Sequence, residues 1–175
     1  MAVAAAVLLT PVQASPQPAK GKTADHVIED GRPITDTATV TRLIAWIVGK
    51  TGWTSCKPPP VVAVPRQQLV KIYKRETEGA DGIHVEALYS EKDATIYVSD
   101  QLKLDTLRGR AILLHELVHR LQAVNKVKVT CPAEYEKQAY DLTFDWLREN
   151  GVDDPYTLLD LDPRLVRMMS HCPEF

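Results

Sequence analysis

Three features of the chain predict an α+β domain with a small antiparallel or mixed sheet. Short runs rich in β-branched residues recur at Val61–Val64, 83–89 and Thr95–Ser99. Two long amphipathic stretches cover 105–125 and 132–150, and shorter helical segments flank them at both ends. At 175 residues and 45% hydrophobic content, the chain has enough apolar surface for one domain with one core. Its 21 basic and 23 acidic residues give a net charge of −2, so no general field attracts nucleic acid or an anionic membrane. No apolar run approaches the roughly 18 residues that a membrane span requires.

Residues 1–14 read as a signal peptide. Residues 2–9 form a short apolar core, and Val12, Gln13 and Ala14 before Ser15 match the small-x-small cleavage pattern, although Lys20 is the first cation. Export to a periplasm or the medium is therefore expected. Residues 15–33 are poor in apolar side chains and read as a linker, which leaves 34–175 as the domain. Asp36 is a suitable N-cap for a helix to about Lys50 that gathers Val40, Leu43, Ile44 and Ile47 on one face, with Gly52 as its stop. Trp46 and Trp53 are expected against the core. Pro58, Pro59 and Pro60 lead rigidly into the strand Val61–Val64, and Pro65 suits the first position of a helix to Glu76. After a loop punctuated by Gly79 and Gly82, the polar residues 90–94 are short enough to join two strands as a hairpin. His84, alone on the first of these, reads as a surface or hydrogen-bonded residue. Pro132 opens the second long helix, Gly151 closes it, Asp154 caps a short helix, and Pro163–Met169 is the last helical segment.

The chemistry concentrates in HELVH, His115 to His119, within the first long helix. Histidines four residues apart stack on one helix face, so both imidazoles can reach a single ion. Leu107, Leu114, Val118 and Leu121 supply the apolar face, with His115, His119 and Gln122 flanking it. Zinc held by two histidines needs a third protein ligand and keeps a position for water, and Glu116 is placed to take that water's proton. The second long helix offers two carboxylates. Glu134 shares a polar stripe with Gln138, Asp141 and Asp145 and suits the positive end of the helix dipole. Glu136 lies at the margin of the apolar stripe Tyr135, Ala139, Leu142 and Trp146, beside Tyr140 and Thr143, and is the expected third ligand. Thr95–Ser99, just before the HELVH helix, is the strand expected along the cleft, where an extended peptide could add to its edge.

His115 to His119 followed by Glu136, Lys137, Gln138 and Ala139 resembles the HExxH…ExxA arrangement of gluzincin metallopeptidases. The resemblance implies a zincin-like fold, one Zn²⁺ on His115, His119 and Glu136, and Glu116 as general base acting on a peptide or protein substrate. More narrowly, residues 93–172 are similar to a family of small exported bacterial proteins. Many gluzincins carry an Asp after the ExxA alanine to orient a ligating histidine; here that residue is Tyr140, with Asp141 or a backbone carbonyl as substitutes. Tyr140 and His171 are candidates, on chemistry alone, for the donor to a tetrahedral intermediate. The three cysteines allow three single bridges. Because Cys131 and Cys172 both fall in the stretch that carries the resemblance, they are the expected pair, leaving Cys56 free. A rival reading keeps the fold and the metal in a binding or structural protein that cleaves nothing; Glu116 discriminates, because a purely structural site has no use for it.

Overall fold

The computed structural model describes residues 32–33, 37–77 and 85–172. The expected signal peptide, most of the expected linker, Asp36 and His84 fall outside them. In chain order the elements are β1 (Arg32–Pro33), α1 (Thr37–Thr51), β2 (Val61–Val64), α2 (Arg66–Thr77), β3 (Ala87–Ser90), β4 (Thr95–Ser99), α3 (Leu107–Val124), α4 (Ala133–Glu149), α5 (Pro155–Leu159) and α6 (Pro163–Met169). The expected α+β mixture holds. Three strands form the body of a mixed sheet that the two-residue β1 extends, in the order β1-β2-β4-β3. Strands β2 and β4 run parallel, whereas β3 and β4 form the antiparallel hairpin that residues 90–94 suggest. Arg32 and Pro33, read from sequence as the end of a linker, pair with Val62 and Ala63 instead. A proline is tolerated there because an outer strand leaves one row of backbone donors unused.

Alternation along the strands separates two cores. Val61, Ala87, Tyr89, Ile96 and Val98 join one core with residues of α1, α3 and α4, while Val64, Leu88 and Tyr97 join another with Leu69, Ile72 and Tyr73 of α2. Helix α3 lies in the larger core and is buried on nearly every side from Gly109 to Gln122. A single apolar stripe therefore understates its environment: sheet, α1 and α4 enclose it together. On α4 the buried residues are Ala139, Tyr140, Thr143, Phe144, Trp146 and Leu147, so the inward face is rotated from the stripe through Tyr135 and Leu142, which are only half-buried. That rotation brings Tyr140 inward, where sequence had placed it at a margin.

Local chemistry fixes the helix starts. Thr106 caps α3 by accepting from the Gly109 N–H at 3.0 Å, and Asp154 and Asp162 cap α5 and α6, each followed by a proline at the first helical position. Pro132 is the N-cap of α4, one position earlier than its sequence reading. Cys131 and Cys172 are joined by a disulfide with Cα atoms 5.8 Å apart, and Cys56 is free. The chain-entropy model assigns such a bridge roughly 4 kcal/mol of stabilisation for a loop of this length. A non-reducing peptide map should recover Cys131 joined to Cys172 and Cys56 as a thiol; Cys56 in any intramolecular bridge would contradict the fold.

Gly109 has a steric role. A Cβ built on it would sit 2.0 Å from the Lys103 carbonyl oxygen and 2.7 Å from its carbon, so the approach to α3 closes against bare backbone. Gly109→Ala is expected to cost about 3 kcal/mol, the upper end for overpacking, because backbone rather than a side-chain tip must move. Thermal unfolding checks this, and an unchanged Tm would mean that the segment before α3 yields freely.

Candidate metal centre

One turn of α3 sets the His115 and His119 rings side by side, with their Nε2 atoms 3.2 Å apart. Glu136 of α4 reaches across with Oε2 3.5 Å from His115 Nε2 and Oε1 3.6 Å from His119 Nε2. A tetrahedral zinc with bonds of about 2.0–2.1 Å spaces its ligand atoms by about 3.3–3.4 Å. Each imidazole nitrogen faces its own oxygen of the Glu136 carboxylate at close to this spacing, and among the described residues these three form the group able to hold a metal ion. Sequence had put the same three residues together.

The charges of the centre belong to the cluster. Burial works against ionisation of Glu136, but the neighbouring His119 and His115 hold its carboxyl down to about 2. For His119 burial disfavours the cation, yet the Glu136 carboxylate outweighs it and pushes the ring up to about 9. Burial dominates at His115, whose pKa lies below the ordinary histidine value. Protonated His119 thus sits against neutral His115 and ionised Glu136.

Glu116 is fully buried and is not one of the ligands. Its Oε2 accepts a 2.7 Å hydrogen bond from the Tyr89 N–H of β3, while Oε1 is buried without a hydrogen-bond partner among the described residues. Burial raises its carboxyl to about 8, against the opposing pulls of His119 and the Tyr89 N–H. The strand geometry explains the contact. The Ser99 N–H donates to the Glu86 carbonyl at 2.7 Å, so alternation turns the backbone groups of Ala87 and Tyr89 away from β4. Strand β3 is therefore the edge that meets α3. Strand β4, the expected cleft strand, is paired on both sides, with β2 and with β3.

The histidine-orienting role falls to a residue to which the sequence reading gave no function. Gln122 accepts from His119 Nδ1 at 2.8 Å, and its amide nitrogen donates to the Tyr135 carbonyl at 3.0 Å and to Gln138 Oε1 at 3.1 Å. With both donors committed, only the amide oxygen can face the ring, which keeps the proton on Nδ1 and leaves Nε2 for a metal. The available signal was spacing, since Gln122 follows His119 by three residues on one helix face. Asp141 instead pairs with Lys137 at the surface. Tyr140 is buried, its ring centroid 4.7 Å from that of His115, and its hydroxyl has no partner among the described residues. Burial, then the Glu136 and Glu116 charges, hold its phenol well above the ordinary range, so it is a neutral donor. His171 is exposed, with Nδ1 2.9 Å from the Arg167 carbonyl, in a cleft between α4 and α6; no contact joins it to the triad among the described residues.

A family model described as a domain of unknown function (DUF6647) matches residues 32–174, and the chain belongs to that family. No curated protein and no solved structure matches it.

The raised pKa of His119 has a measurable sign. At pH 7 the metal-free ring carries a proton that a metal ion must displace, so binding should release at least one proton and tighten as pH rises towards about 9. Calorimetry in two buffers of different ionisation enthalpy reads this directly. Zinc uptake with no proton released would mean that His119 is already neutral.

Proposed function

We propose that this DUF6647 member is a zinc-dependent hydrolase acting on peptide bonds, with His115, His119 and Glu136 holding the ion. The observation that carries the reading is the state of Glu116: a fully buried carboxyl beside the candidate ligand set, one oxygen tied to Tyr89 and the other without a partner among the described residues. Leaving a buried acceptor unsatisfied costs about 1–3 kcal/mol, which a fold has reason to retain where the partner arrives with the reaction. Zinc bound there would supply Lewis acidity and lower the pKa of water towards neutrality. A cation held by the neighbouring candidate ligand set would offset the burial that raises the Glu116 carboxyl. Ionised, Glu116 Oε1 takes the proton of the attacking water and returns it to the leaving nitrogen, while the Tyr89 N–H keeps Oε2 from turning away. The Tyr140 hydroxyl, neutral and without a partner among the described residues, is available to an oxygen that gains negative charge. The match of His115 to His119 and Glu136 to the HExxH…ExxA arrangement of peptidases favours peptides as the substrate class.

Export belongs to the same proposal. The Cys131–Cys172 disulfide supports an oxidising compartment, and no described helix is long and apolar enough to cross a membrane.

One observation favours a second reading, a zinc site that only stabilises a binding protein: His115 and His119 are 2% and 3% exposed, so the ligands are nearly enclosed. The two readings part at Glu116. Glu116→Gln should retain zinc and Tm but lower hydrolysis of a peptide library about 10²–10⁴-fold, whereas His115→Ala should lose the metal. Turnover undiminished in Glu116→Gln refutes the assigned base; absence of turnover from zinc-loaded wild type supports the second reading.

A further inference from the structure

A pocket of about 250 Å³ opens beside the metal centre, sharing His119 and Gln122 as its back wall. Tyr89 of β3 and Tyr135 of α4 line it, with Ala123 and Val127 between them. Both phenols are engaged elsewhere: Tyr89 accepts from Arg120 at 3.0 Å, and Tyr135 donates to the Val127 carbonyl at 2.8 Å. Both walls are thereby held in place, and the Tyr135 hydroxyl has its proton committed. The remaining lining residues are Lys126 and Glu91, neither of whose side chains has a hydrogen bond or ion pair among the described residues.

Lys126 is held in place by backbone at a cost. It lies just past α3 in the left-handed region, φ 49°. Its N–H donates to the Ala123 carbonyl at 3.2 Å, and the Val127 N–H donates to the Gln122 carbonyl at 3.0 Å. That pair of bonds is the Schellman closure, whose left-handed position favours glycine. Here it carries a lysine, fixing the origin of a cationic side chain one turn from Gln122 and next to the pocket.

We infer that this pocket selects substrates bearing a carboxylate, which Lys126 receives. The inference rests on the hydrolase reading above and names its substrate class. The carboxylate can belong to an acidic side chain or to the peptide's own C-terminus. Glu91, on the β3–β4 turn, also lines the pocket, and its carboxylate works against an anion there.

The test uses zinc-loaded full-length protein and peptide hydroxamates, which anchor on the metal whether or not the protein turns over. One pair compares a glutamate with a glutamine side chain, and a second compares a free C-terminal carboxylate with its amide. Wild type should bind the charged member of at least one pair about fivefold more tightly, the scale of a solvent-exposed ion pair, and which pair responds identifies the source of the carboxylate. Lys126→Gly should abolish the preference while Tm stays the same or rises, because glycine relieves the left-handed residue. Glu91→Gln should strengthen the preference. No preference in wild type, a preference surviving Lys126→Gly, or Glu91→Gln weakening it to the same extent overturns the inference. Acetohydroxamate separates the two levels: if it binds the zinc-loaded protein and no charge preference follows, only the pocket assignment fails. If it does not bind, the open metal centre fails and the pocket assignment falls with it.

Discussion

Two imidazoles buried one helical turn apart demand a partner, and α4 exists where it does to provide one. His115 and His119 cannot both be satisfied by α3, whose own backbone groups are committed to the helix. Glu136, reaching both Nε2 atoms from the facing helix, supplies the missing acceptor and makes the α3–α4 contact polar at its centre within an apolar core. Removing that carboxylate would let burial drive the proton off His119 and leave two buried imidazoles without their shared acceptor. The helix pair and the metal-binding geometry are thus one constraint, and the sheet, α1 and the C-terminal helices close around it.

The supporting contacts reach the centre from separate directions. Gln122 couples His119 to the first turns of α4. The edge strand β3 holds Glu116 through its backbone, and Tyr140 lays its ring on His115. Each of these partners also sits in its own packing environment, so the site's precision comes from the core and not from loops.

The three residues able to hold a metal ion were legible because their signal is local: two histidines at helical spacing, and a glutamate whose position relative to an apolar stripe can be counted. The hairpin, the Asp154 cap and the α6 segment were legible for the same reason, since turn and capping chemistry acts within a few residues. What escaped was set by packing between elements. The rotation of the α4 face depends on which residues α3, α5 and α6 cover, so Tyr140 and Phe144 could not be told from Leu142 by periodicity alone. The hydrogen bond from Tyr89 to Glu116 comes from a backbone N–H, which leaves no trace in residue identity. Strand order likewise escaped: Thr95–Ser99 precedes α3 in the chain, yet Ala87–Ser90 is the strand beside it, because the parallel pairing of β2 with β4 pushes the hairpin's first strand to the rim.

The covalent link between Cys131 and Cys172 makes a closed ring of α4, α5 and α6, with Glu136 inside the ring and both histidines outside it. A protease that severs the short connections around 150–154 or 160–162 would therefore cut the chain without separating it into two molecules. Both halves would stay tethered a few residues from Glu136, with the carboxylate helix still fastened at its start. The protein's tolerance of nicking is thus greatest in the stretch that backs the metal-binding helix pair, and least in residues upstream of Cys131, where no such tether spans a break.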